Sequence, residues 1–160
     1  MIKIKPNIFR LSLADNKVQS IFDIERNITI PKFSQPLTNA KFKIYILKSE
    51  DKILYIGTTK SSIKNRLRYG LNANGQNGYH GYKWKTFETV LLYVFCFDDF
   101  GKVEIESVEA ELAFIVRKST GRWPESQNEI HFNNNFIPTG QLIAEKIFKQ
   151  LNETKEKNNR

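Results

Sequence analysis

The sequence predicts an α+β fold, a small antiparallel β-sheet flanked by helices. Three observations predict it. β-Branched and aromatic runs occur at Phe42–Lys48, Ile53–Gly57 and Thr86–Phe97, and a strongly amphipathic stretch runs from Glu104 to Lys118. A second helical pattern closes the chain.

In chain order, residues 2 to 13 alternate loosely through Ile2, Ile4, Phe9, Leu11 and Leu13, predicting one or two strands interrupted at Pro6. Asp15 to Asn39 is mixed and punctuated by Pro31 and Pro36, so residues 1–40 read as a β or irregular arm packed on the same domain. FKIYILK and ILYIG are separated by Ser-Glu-Asp-Lys, which is hairpin chemistry. Ser61 and Ser62 offer N-caps to a helix through IKNRLRYG, with Gly70 as its C-terminal stop. LNANGQNGYHGYK is rich in Gly and Asn and predicts a loop before the strand Thr86–Phe97. In the next helix Ile105, Val108, Leu112, Ile115 and Val116 share a side, Gly121 ends it and Pro124 follows. Thr139 caps a last helix through Leu151, leaving 41–151 as the core and 152–160 as a flexible tail.

Composition narrows the class of partner. The 160 residues are 40% hydrophobic, with twelve Phe, six Tyr and two Trp, enough to bury a core without disulfides or a structural metal. Lys and Arg number 25 against 17 acidic residues, a formal charge of +8 with a pI near 9.5. That balance favours polyanions, whose phosphates exchange counterions for cationic side chains. Cys96, inside LLYVFCF, reads as a small buried hydrophobe, and one Cys with two His cannot build a Cys/His zinc cluster. Charges interrupt the N-terminal stretch, so it does not read as a signal peptide, and no run reaches membrane-span length. A cytoplasmic location is the expectation.

Tyr45 and Tyr55 stand at the centre of the hairpin, and Arg66 follows eleven residues after Tyr55 on the capped helix. Glu109 and Glu111 lie later, among apolar neighbours. Taken singly, the tyrosines are ordinary sheet packing and the arginine a solvated helix face. Taken in order, KIYILKSEDKILYIGTTKSSIKNRLR resembles the signature of GIY-YIG nucleases: a hairpin with two tripeptides, then a helix bearing an arginine. Lys43 replaces the first glycine, whereas Tyr55-Ile56-Gly57 matches outright. Glu111-Leu-Ala-Phe114-Ile115 is similar to the family's acidic helix, and Pro124-Glu-Ser-Gln127-Asn128 to its Pro-x-x-Asn segment. The resemblance spans about residues 42 to 130 and looks closest to restriction-enzyme-like and uncharacterised bacterial members.

The resemblance implies a Mg²⁺-dependent DNA endonuclease, with Mn²⁺ as an alternative ion and a homodimer as a route to double-strand cleavage. Tyr45 is the implied general base with Tyr55 beside it, Arg66 the clamp on the scissile phosphate and Glu111 the metal ligand. Glu109 stays open as a rival ligand. Counting from Pro124 selects Gln127 as the site amide, and residue type selects Asn128. Members often carry His or Tyr four residues after the arginine, where this chain has Gly70, so Tyr69, Tyr79 or His80 is the candidate substitute. Lys60, Lys64, Arg68, Tyr69, Lys83 and Lys85 are the expected DNA contacts. Tyr82 and Trp84 either join them or pin the loop to the sheet. The rival class is a nucleic-acid-binding module on the same fold without catalysis.

Overall fold

The hairpin sets the frame. Strand β4 (Phe42–Lys48) pairs antiparallel with β5 (Ile53–Thr59), matching Tyr45 to Gly57 and Leu47 to Tyr55. The computed structural model describes residues 4–127 and 138–158. Before the hairpin come β1 (Asn7–Ala14), β2 (Lys17–Asp23) and β3 (Ile28–Ile30); after it come α1 (Ile63–Asn72), β6 (Thr89–Phe97), α2 (Lys102–Thr120) and α3 (Pro138–Asn158). All six strands form one antiparallel sheet in the order β3-β2-β1-β6-β4-β5.

Residues 15 to 39, mixed in sequence, hold two strands. Asp15 and Asn16 turn the chain at φ 51° and 56°, left-handed values that these two residue types tolerate and that suit a two-residue hairpin. The arm widens the sheet through β1, which lies directly against β6.

Each face of the sheet carries its own core. On one, Tyr45, Leu47, Leu92 and Val94 join Phe9 and Leu11 beneath Ile63, Leu67 and Leu71 of α1. On the other, Ile44, Ile46, Tyr93 and Phe95 lie beneath α2 and α3, which contribute Ile105, Val108, Leu112, Ile143 and Ile147. Alternation along β4 and β6 feeds both layers, so these central strands read as continuous apolar runs.

Helix boundaries follow local chemistry with three departures, the first being Thr139, which lies inside α3 instead of capping it. Ser62 caps α1, its hydroxyl accepting from the Asn65 N–H, and Gly121 closes α2 at φ 76°. Gly70 is not the stop expected of it: α1 continues to Asn72, and Gly70 is a buried position inside the helix. Helix α3 likewise runs past Leu151 to Asn158, beyond the start of the expected tail. No described helix is long and apolar enough to cross a membrane.

Candidate active site

Tyr45 points into the face covered by α1 and is fully buried. Its ring passes over Gly57, the last residue of the second tripeptide. A Cβ there would stand 2.6 Å from the Tyr45 hydroxyl and from a Tyr55 ring carbon. Glycine is what lets the two phenols share this space. The rings of Tyr45 and Tyr55 sit 5.8 Å apart, diagonal across the hairpin.

Arg66, on the second turn of α1, donates from Nε to the Tyr45 hydroxyl at 2.9 Å. Tyr82, from the long loop, completes a ring: its hydroxyl lies 3.0 Å from that of Tyr45 and 3.3 Å from the Arg66 carbonyl oxygen. With the Tyr82 proton on that carbonyl, Tyr45 donates to Tyr82 and accepts from Arg66. Each polar atom then has a partner, as a buried site requires. Trp84 stacks on Tyr82 at 4.6 Å between centroids and is itself buried, so this pair pins the loop to the sheet. Lys43, the departure from the first tripeptide, is buried beside the hairpin and donates from its ammonium to the carbonyls of Asn39, Lys41 and Ser61.

A cleft of about 910 Å³ opens beside this ring at the β5 edge. Tyr55, Arg66, Tyr82 and Glu109 line it, with His80, Lys83, Lys85, Glu106 and Gln127 around them. Tyr45 lies behind, reached only through its neighbours. Burial pushes the Tyr45 phenol well above its ordinary value, with Tyr82 adding to the effect and Arg66 opposing it. The phenols of Tyr55 and Tyr82 are raised too, first by burial. Burial works against the Arg66 charge, yet the phenol oxygens of Tyr45 and Tyr82 more than compensate and raise its pKa. Glu109 is pushed up to about 7 by burial and by Glu106, against the pull of Arg66.

Of the two candidate ligands, Glu109 lines this cleft, together with Glu106, whereas Glu111, expected as the ligand, is not among the lining residues. Two residues on a helix are about 200° apart, so the two glutamates face opposite ways. Gln127 sits at the cleft with its side-chain amide clamped on β5, accepting from the Ile56 N–H at 3.0 Å and donating to the Ile56 carbonyl at 3.1 Å. The Ser126 N–H also donates to the Leu54 carbonyl at 2.7 Å, so this segment covers the sheet edge. Asn128, the other candidate amide, lies outside the described residues.

The remaining expected contacts divide. His80 and Lys83 are exposed at the cleft. Lys85 also lines it, but its ammonium donates to the Ala73 carbonyl at 3.0 Å and so ties the loop to the end of α1. Tyr69 is exposed, stacked on Tyr79 at 5.2 Å and away from the Tyr45 ring system. Lys60 lies over the Phe42 ring, while Lys64 and Arg68 are exposed on α1 and do not line the cleft. The place left open by Gly70 is taken by Tyr82, which the sequence marks only as a loop aromatic. The signal was there: Ile63, Leu67, Gly70 and Leu71 follow one helical face, so Gly70 is a core position lacking a side chain.

A fold of this order, with Tyr55 and Arg66 at the cleft and Tyr45 behind them, fits a nuclease-type domain. The family model of the GIY-YIG catalytic domain matches residues 41–122, just over half the chain, and the protein belongs to the GIY-YIG nuclease superfamily. No curated protein and no solved structure gives a significant match.

Proposed function

We propose that this protein is a Mg²⁺-dependent endonuclease that hydrolyses phosphodiester bonds in DNA, with Glu109 in the ligand role. The observation that carries the reading is the Glu109 carboxyl, buried at a cleft it shares with Arg66 and Tyr55. Burying a carboxylate is costly unless a cation meets it; burial and Glu106 raise the pKa of Glu109, and a bound divalent cation would favour its charged form. Mg²⁺ is a hard ion that binds through few carboxylates and keeps several of its waters. Glu109 would hold Mg²⁺, or Mn²⁺ in its place, and the chemistry such an ion supplies is charge stabilisation of the departing 3′ oxygen.

The chain's own groups account for the rest. Arg66 forks onto the scissile phosphate with the nitrogens its Tyr45 contact leaves over, a geometry the planar guanidinium suits. The base is a phenolate of the tyrosine cluster, favoured by Arg66 and opposed by burial. Tyr55, at the cleft wall, is the phenol that meets the attacking water, and Tyr45 shares its charge from behind. Gln127 holds the edge strand that carries Tyr55. Cutting both strands would use two copies of the chain.

A supercoiled plasmid incubated with the protein in Mg²⁺ and in EDTA tests the reading. Nicking or linearisation in Mg²⁺ alone supports it. Binding without cleavage in either condition would instead assign the chain to a non-catalytic DNA-binding role.

A further inference from the structure

A second concavity lies on the opposite side of α1. There the helix and the β2–β3 hairpin stand apart and enclose a groove of about 670 Å³. Its floor is apolar, formed by Leu67 and Leu71 of α1 with Ile30, Phe33 and Val18 of the hairpin side. Its rim carries Lys17 and Lys32 on one wall and Lys64 and Arg68 on the other, all four exposed. No acidic residue lines it. No ion pair among the described residues engages any of the four cations.

We propose that this groove holds a nucleotide of the bound DNA away from the cut, with the base on the apolar floor and flanking phosphates on the rim. The inference rests on the nuclease reading above and extends it to a second contact. Four cations around an acid-free rim repel one another, and a polyanion relieves that repulsion. The volume lies within the roughly 300–1,000 Å³ usual for small-molecule clefts, room for one base and its sugar. Helix α1 joins the two sites mechanically. Arg66 faces the cleft, while Lys64 and Arg68, each two residues away and so about 200° around the helix, face the groove. A third concavity bridges them, sharing Arg66 and Tyr79 with the cleft, and Arg68 and Asn72 with the groove. Only one wall belongs to the matched catalytic domain; the other is built by residues 16–33, outside it. The N-terminal strands thereby gain a role in holding substrate.

The test uses the full chain and fluorescently labelled random-sequence DNA, single-stranded and duplex, titrated in EDTA across a salt series. Lys17→Ala/Lys32→Ala should weaken binding several-fold at moderate salt and lower the log–log salt slope by about two units, roughly 0.9 per lost phosphate contact. A second arm uses one defined oligonucleotide just long enough for a single bound register, with its cut mapped in Mg²⁺, and scans an abasic nucleotide along it. Base removal should weaken binding several-fold at one position away from the cut, and Val18→Trp, which fills the groove, should erase that dependence. An unchanged slope in the double variant, or a flat abasic scan, overturns the proposal while leaving plasmid cleavage intact. So does a concentration-dependent dimer in sedimentation that Val18→Trp abolishes, since the groove then belongs to a second copy. A wild-type chain that binds no DNA at all overturns the nuclease reading along with the groove.

Discussion

Tyr82 lies across Gly70 so closely that a Cβ on Gly70 would stand 2.0 Å from the Tyr82 Cε2. A loop residue thus fills the space that a side chain on α1 would otherwise occupy, and its hydroxyl closes the ring with Tyr45 and Arg66. Alanine at Gly70 gains about 1 kcal/mol of helix propensity, but overpacking a core costs about 1–3 kcal/mol and should dominate here. Gly70→Ala is therefore expected to be less stable in denaturant melts and slower in cleavage, because it displaces Tyr82. Gly70→Ala/Tyr82→Ala should be less destabilised than the two single changes added together. Strict additivity would show that the two positions are not coupled.

The choice between the two glutamates is open to direct measurement. Glu109→Gln should abolish Mg²⁺-dependent plasmid cleavage while DNA binding in EDTA persists, and Glu111→Gln should cut at close to the wild-type rate. The reverse pattern would return the ligand role to Glu111.

Glu109 also makes a stability prediction with a definite sign. In the folded chain burial and Glu106 push its pKa up to about 7, against an ordinary value of 4.5. Between these values the folded state binds more protons than the unfolded one, so stability falls as pH rises through the window and stays lowered above it. The full effect is on the order of 3 kcal/mol. Thermal melts of Glu109→Gln without metal should therefore gain on the wild type between pH 4.5 and 8, and Mg²⁺ at pH 8 should raise only the wild-type melting temperature. Parallel pH profiles for the two proteins would contradict this account.

The raised phenols predict an alkaline rate profile. If a phenolate is the base, single-turnover cleavage should climb with pH through and beyond neutrality, since burial holds the cluster protonated there. Tyr55→Phe and Tyr45→Phe should each lower the rate and flatten the rise. A profile already level at neutral pH would point to a base outside the tyrosine cluster.

Arg66 should act on rate more than on affinity. Arg66→Ala is expected to lower single-turnover cleavage at saturating enzyme by on the order of 10²–10³. Arg66→Lys, which keeps a charge but loses the planar fork, should recover little of it. Wild-type cleavage once saturated would make Arg66 a positioning contact only.

The sequence by itself determined the elements whose causes are local. Runs of β-branched and aromatic residues specified β4, β5 and β6, Ser62 began α1, the apolar period laid out α2 and Gly121 ended it. The ordered tyrosines and arginine were legible for the same reason, since hairpin register and the helix that follows bring them near one another. What depended on distant contacts was decided only in three dimensions. Strand β1 found its place beside β6, some eighty residues away, because pairing partners are chosen by long-range burial. Gly70 reads locally as a stop, and only the arrival of Tyr82 makes it a close-approach position. Glu109 and Glu111 look equivalent in sequence, but the rotation of α2 against the sheet turns one to the cleft and the other away. That rotation is set by the packing of Ile105, Val108 and Leu112 beneath β4 and β6, not by the spacing of the acids.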